Sequence, residues 1–176
     1  MLYKFLYKLD YGLQKIFSSL LFQLPILNMI KKLFFWVRFS TTNIDPGYNI
    51  SITNFDRKNS NTGIKFTGKC KLVRNVQIDT CGGIIVGKNV LISDNVDIQT
   101  HKHEFDKISL FQNKTTNSSL TIGDEVWICK NVIITDSVKT IGTGSIIATG
   151  SVLTKNTGEY EIWGGVPAKF VRIREK

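Results

Sequence analysis

A chain of 176 residues with 42% hydrophobic and 21% charged residues can bury one substantial core, which excludes disorder over most of its length. The formal net charge of +9 favours polyanionic partners, whether nucleic acid, an anionic membrane surface or a phosphorylated cofactor, without choosing among them. Cys70, Cys81 and Cys129 are odd in number and lack CxxC or zinc-ligand spacing, so they read as inert core or wall residues of a protein in a reduced cytoplasmic setting.

The first apolar stretch is interrupted by Gln23, Pro25 and Asn28, which leaves it too short and broken for a transmembrane helix. No small-residue cleavage site follows it, so a secretory signal is not expected either. Two amphipathic helices are predicted, the first ending near Pro25 and the second running from Ile26 to Arg38. Residues 1 to 45 hold six Lys or Arg against two Asp, beside Tyr3, Phe5, Tyr7, Phe17, Phe22, Phe34, Phe35 and Trp36. That composition suits a segment lying in the headgroup region of an anionic bilayer. It suits equally a helical cap whose aromatic face packs on the end of the domain that follows.

From Phe66 onward, apolar residues recur every six positions. Phe66, Leu72 and Ile78 share one register, Val86, Ile92 and Ile98 the next, Ile122, Ile128 and Ile134 a third, and Ile141, Ile147 and Leu153 a fourth. The fifth position of each hexad is small or β-branched, as at Cys70, Val76, Val90, Val96, Val126, Val132, Val138, Ser145 and Ser151. The second is often small, as at Gly87, Ser93, Gly123, Cys129, Gly142 and Ala148. A period of six suits neither an amphipathic helix nor a simple alternating strand. It predicts a three-sided coil whose faces stack on neighbouring coils at the usual strand spacing of about 4.8 Å. The first-position aliphatics then fill the prism, the fifth fits inside near a corner, and the small second position marks the turn.

Three spacings break the register. Eight residues separate Ile78 from Val86 and seven separate Ile134 from Ile141, both readable as local bulges. Between Ile98 and Ile122 there are twenty-four, which predicts a loop over 99–121 projecting from the wall. Long excursions in compact domains are usually functional or disordered. The chain's two histidines, His101 and His103, both lie at the root of this loop in ThrHisLysHisGluPheAsp. An imidazole there fits a general base, because it exchanges protons near neutrality. With Glu104 and Asp106 close by, the same residues also fit a metal site or a solvated loop.

ThrHis at 100 and 101 opens the loop, and IleGlyAspGluValTrpIle from 122 to 128 closes it. IleGlyThrGlySerIleIleAlaThrGlySerValLeuThrLys from 141 to 155 follows, and then GlyValProAlaLys from 165 to 169 with Arg172. In this order the chain, over roughly residues 66 to 174, resembles the hexapeptide-repeat O-acetyltransferases, a group that includes the maltose and galactoside enzymes and many that acetylate surface polysaccharides. The resemblance implies an all-β left-handed parallel β-helix, against the usual crossover hand. The helix would occupy 46–160, preceded by the helical segment 1–45 and followed by a C-terminal tail, 161–176.

The resemblance also implies a homotrimer with active sites between subunits, and acetyl-CoA as acyl donor with no metal. His101 would be the base that deprotonates the acceptor hydroxyl for direct attack on the thioester, with His103 as its rival or helper. Trp127 would line the cleft, or be buried by a neighbouring subunit. Ala148, Thr149, Thr154, Lys155, Lys169 and Arg172 match positions that contact CoA, the last three cations being suited to its phosphates. The match fails where galactoside-type enzymes carry an acidic residue about five positions before Val86, since this chain has Cys81. Asn75, Asp79 and Glu104 are therefore the candidate acceptor contacts.

The expected activity is O-acetylation of a sugar hydroxyl on a surface polysaccharide or its lipid-linked precursor. The expected location is the cytoplasm, with peripheral attachment to the inner face of the cell membrane. The alternatives are N-acetylation of an amino sugar or other small acceptor, and, in another class, a non-catalytic trimeric scaffold or metal-binding protein. Nucleic-acid binding is not expected, because the basic residues form no recognisable reading element.

Overall fold

The hexads close into a three-sided parallel β-helix in a computed structural model that describes residues 2–17, 19, 21, 24–54, 63–104 and 114–175, with side chains from residue 8. The first coil is β1 (Ile44–Tyr48), β2 (Ser51–Thr53) and β3 (Ile64–Phe66). The second is β4 (Cys70–Arg74), β5 (Gln77–Asp79) and β6 (Ile84–Val86). In the third, β7 (Val90–Ile92) and β8 (Asp97–Ile98) are followed by a hairpin of β9 (His101–His103) and β10 (Thr115–Asn117) before β11 (Leu120–Ile122). β12 (Trp127–Ile128), β13 (Ile133–Ile134) and β14 (Thr140–Ile141) make the fourth, and β15 (Ile146–Ile147) and β16 (Val152–Leu153) begin the fifth. Corresponding strands pair in parallel. The first face stacks β1, β4, β7, β12 and β15, the second β2, β5, β8, β13 and β16, and the third β3, β6, β11 and β14.

The pairing puts like positions over like. Leu72, Ile92, Ile128 and Ile147 stack on the first face, Ile78, Ile98, Ile134 and Leu153 on the second, and Phe66, Val86, Ile122 and Ile141 on the third. None of these twelve is more than 6% exposed. Each contributes roughly 1.5–3 kcal/mol by leaving water. The fifth-position residues are likewise buried. Burial pushes the Cys70 thiol up to about 12, which keeps it protonated and inert.

The turns lie elsewhere than the small second position. The left-handed residue of each tight corner is the fourth of the hexad: Asn75, Asn89, Asn95, Glu125 and Asn131 have φ of 52°, 56°, 56°, 57° and 58°, and Gly144 and Gly150 follow at 71° and 73°. Asparagine tolerates this region better than most side chains. The second position is small for another reason, which is the approach of the next coil. A Cβ on Gly123 would stand 2.6 Å from the backbone nitrogen of Thr143. At the corner between the first and second faces the asparagines form a ladder. Asn49 Nδ2 donates to Asn75 Oδ1 (2.7 Å), Asn75 to Asn95 (2.8 Å) and Asn95 to Asn131 (2.9 Å). Asn75, an expected acceptor contact, is thus held on both sides at a corner away from its own chain's loop.

The helices α1 (Leu2–Phe17) and α2 (Pro25–Arg38) close the open end of the first coil. Gln14, fully buried, donates Nε2 to the Ile52 carbonyl (2.9 Å) and accepts the Ile52 N–H (2.8 Å), so its amide continues the β2 ladder. Trp36 Nε1 donates to the Ile44 carbonyl (2.9 Å), and Phe35 enters the core. On α2 the cationic side chains turn inward or pair: Lys31 is buried, Arg38 meets Asp10 at 2.6 Å and Lys32 meets Asp45 at 3.0 Å. The outward face of α2 is instead apolar, with Ile26, Met29, Leu33 and Val37 exposed by 76, 69, 57 and 71%. The side chains of Tyr3, Phe5, Tyr7 and Phe22 lie outside the described residues.

At the other end the segment 161–176 is not a tail. β17 (Glu161–Gly165) continues the first face in parallel with β15, and β18 (Ala168–Ile173) folds back antiparallel on β17. Gly165, at φ 100°, makes the turn between them.

Candidate active site

Two corners of the prism are tight and uniform. The third, from the second face to the third, carries the breaks in the hexad register: the connection 54–63 in the first coil, the eight-residue step from Ile78 to Val86 in the second, 99–119 in the third and the seven-residue step from Ile134 to Ile141 in the fourth. The root of the third connection is an antiparallel hairpin in which Asn117 pairs with His101 and Thr115 with His103. Its tip, 105–113, including Asp106, lies outside the described residues.

Because Ile98 stacks on Ile78, the residues after Ile98 lie over those after Ile78. Asp79, 8% exposed, therefore meets His101, and its Oδ2 stands 2.7 Å from His101 Nδ1. The same Oδ2 accepts the Thr100 N–H (2.9 Å) and lies 3.0 Å from the Thr100 hydroxyl, while Oδ1 accepts the Cys81 N–H (3.0 Å). Thr100 is itself buried, and its Oγ1 accepts the Gly82 N–H (2.9 Å). The eight-residue spacing that reads as a simple bulge is thus the lower wall of the site.

Burial alone would raise the Asp79 carboxyl, but the Cys81 thiol, His101 and the backbone N–H groups of Thr100 and Cys81 donate to it and hold it below the ordinary carboxylate range. An ionised carboxylate only accepts hydrogen bonds, so Nδ1 must carry the imidazole proton. In the neutral imidazole Nε2 is then the acceptor nitrogen. This is the arrangement of a general base steadied by a buried acid. The donor atoms of Asp79, Cys81 and His101 also lie within 4.8 Å of one another, the one such group of three metal-type donors among the described residues. Asp79, expected to face the acceptor, turns to His101 instead, and Cys81, expected in the inert wall, donates to Asp79.

The other candidates fall into two groups. His103 is exposed on the same strand, its ring 5.4 Å from that of His101 and nearly perpendicular to it. Glu104 accepts a hydrogen bond from Thr116 Oγ1 (2.8 Å) and so braces the hairpin root. Trp127 lies on β12 of the first face, 43% exposed, with Nε1 donating to Ser93 Oγ (3.0 Å). Lys169 and Arg172, on β18, are exposed beside that same face, and Ala148 and Thr149 follow β15 at its edge. Thr154 and Lys155 follow β16 at the corner that carries His101, two coils further on. In a triangular prism the corner joining the second and third faces is opposite the first, so one chain does not bring His101 and Trp127 together.

No family model matches the chain. It is 34% identical over 89 residues to the galactoside O-acetyltransferase of Escherichia coli, a stretch covering 51% of this chain and 43% of that protein. It is 27% identical over 106 residues to E. coli WbbJ, named for lipopolysaccharide O-acetyl transfer, with 55% and 54% covered. The chain spans about half the length of the curated relatives it matches. Among solved structures, a hexapeptide-repeat acetyltransferase of Vibrio cholerae in complex with acetyl coenzyme A superposes with a TM-score of 0.74 at 22% identity, covering 94% of this chain and 86% of that one. A maltose O-acetyltransferase of Clostridium difficile gives 0.71 at 23% identity, with 97% and 87% covered. The chain shares the left-handed β-helix fold of these hexapeptide-repeat acetyltransferases over nearly its whole length, and is similar in sequence to acetyltransferases over about half of it.

Proposed function

We propose that the protein is an acetyl-CoA-dependent O-acetyltransferase acting on a sugar hydroxyl of a surface polysaccharide or its lipid-linked precursor. The observation that carries this reading is the Asp79–His101 pair; in the neutral imidazole it makes Nε2 the proton acceptor. In the reaction Nε2 takes the hydroxyl proton as the acceptor oxygen attacks the thioester carbonyl. The C–S bond then breaks, and the same proton passes from Nε2 to the departing sulfur. Backbone N–H groups stabilise the oxyanion, and no covalent enzyme intermediate is needed. The donor's phosphates are suited to the exposed Lys155, Lys169 and Arg172.

The separation of His101 from Trp127 supports an active site shared between subunits, with the corner of one chain facing the first face of another in a homotrimer. The sugar acceptor is supported by the names of the galactoside enzyme and WbbJ. The test is release of free thiol from acetyl-CoA with a panel of glycans, an amino sugar and chloramphenicol. Release that depends on a sugar hydroxyl supports the proposal. Release with the amine alone would turn it into an N-acetyltransferase, and no acceptor-dependent release would remove it.

No described helix is long and apolar enough to cross a membrane. The exposed apolar stripe of α2 supports a cytoplasmic enzyme attached peripherally to the membrane where lipid-linked glycans are built. Lys31 is buried and Lys32 and Arg38 are paired with carboxylates, so on α2 the attachment rests on apolar burial. Leu33→Glu with Val37→Glu is expected to weaken cosedimentation with lipid vesicles by about tenfold or more, since each buried side chain is worth roughly 1.5–3 kcal/mol. Unchanged cosedimentation would exclude the stripe as the contact.

A further inference from the structure

Beneath α2, on the side away from its apolar stripe, a cavity of about 370 Å³ opens between the helix and strands β1 and β4. Lys31, Lys32, Lys71 and Arg74 line it, against a single acidic lining residue, Asp45. Two of the four cations are engaged, Lys32 with Asp45 at 3.0 Å and Arg74 with Asp94 at 2.8 Å. Lys71 is exposed. Lys31 is the unusual member. Its side chain is 1% exposed, yet among the described residues its ammonium makes one hydrogen bond, to the Gly47 carbonyl at 3.1 Å.

An ammonium has three donors, and burying it with two unused is costly unless an anion or other acceptor completes its shell. Asn28 lines the same cavity, and its Oδ1 is buried without a hydrogen-bond partner. Oxygen and nitrogen of an amide are interchangeable in shape, so turning the group end for end presents Nδ2 as a further donor. A buried, under-satisfied cation, an orphaned amide and a cationic rim thus converge on one space.

We propose that this cavity binds a phosphate-bearing group, a phosphomonoester or diphosphate, with Lys31 at its base and Lys71 at its mouth. Compact tetrahedral anions suit lysine, which acts as a point charge with rotatable donors. The group could belong to a soluble nucleotide-linked sugar, to a polyprenyl-linked one or to free phosphate, and the chemistry of recognition is shared by all three.

The experiment is calorimetric titration of the full chain with inorganic pyrophosphate at fixed salt. It reads binding without turnover, so its failure leaves the acetyl-transfer reading intact, and the reverse also holds. Saturable binding, weakened about tenfold or more by Lys31→Met and by Lys71→Glu, is the expected result. Lys71 is exposed, so its variant keeps the fold if Lys31→Met does not, and circular dichroism checks both. No saturable binding, or wild-type affinity in a folded Lys71→Glu variant, overturns the site. Given binding, competition by uridine diphosphate glucose, by a short-chain polyprenyl diphosphate in micelles, or by neither beyond pyrophosphate itself assigns the source to the soluble sugar, the lipid or the free anion.

Discussion

In His101→Ala, acceptor-dependent release of free thiol is expected to fall by about a thousandfold, within the roughly 10²–10⁴-fold that a positioned general base supplies. Binding of acetyl-CoA should change little, because the proposed partners of the ring are Asp79 and the acceptor hydroxyl rather than the donor's phosphates. Single-turnover measurements under saturating donor separate the two effects. A variant that keeps its full turnover would transfer the proton to His103, whose ring lies 5.4 Å away, and a double variant would then be the one that fails.

Asp79→Asn probes the same proton from the other side. The carboxylate accepts from Nδ1 at 2.7 Å. An amide in its place can offer Nδ2, which invites the imidazole to hold its proton on Nε2, the wrong nitrogen for a base. A fall in kcat of roughly 10²–10⁴-fold with little change in KM is expected, by analogy with the comparable substitution in the serine-protease triad. A purely structural role for Asp79 would lower the amount of folded protein without this split.

Stability gives a second readout. The Asp79 carboxyl is lowered in the folded state, with burial opposing and the Cys81, His101 and Thr100 donors prevailing. Its contribution is therefore present above the unfolded value of about 3.9 and lost as pH falls through the folded value. The gap in urea midpoint between the wild-type protein and Asp79→Asn should be widest near neutrality and close on acidification below the unfolded value. A gap that does not change with pH would show that the carboxylate charge is not what the native state holds.

The ladders were legible because the first-position aliphatics repeat along the chain whichever face they occupy, and all twelve are buried in stacked rows. The first coil escaped this reading. Pro46 stands where Leu72 stands one coil on, Ile44 stands over Cys70, and the connection 54–63 removes the next hexad from register. The Asp79–His101 pair was harder, because its members are 22 residues apart and belong to different coils. Its signal was present in the register: with Ile78 under Ile98, the residue after the first must lie under the residues after the second. What a one-dimensional pattern does not reveal is which corner an irregularity occupies. Two breaks of unequal length therefore read as unrelated when they are neighbours.

The direction of the α2 lysines is not legible in the sequence for a similar reason. Counting six cations in residues 1 to 45 says nothing of their direction, whereas the spacing of Ile26, Met29, Leu33 and Val37 marks one stripe. The helix turns that stripe outward because its other face has specific work at β1, where Trp36 and Lys31 donate to the carbonyls of Ile44 and Gly47.

A stack of near-identical coils has no intrinsic length, and its last parallel strand is a template onto which another molecule's first coil could grow. The reversal of β18 against β17 ends that growth. It presents an edge running the wrong way for a parallel successor, studded with the exposed Lys169 and Arg172. At the opposite end Gln14 occupies the hydrogen-bonding groups of Ile52 that an incoming strand would need. The first face is thereby closed to a further parallel strand.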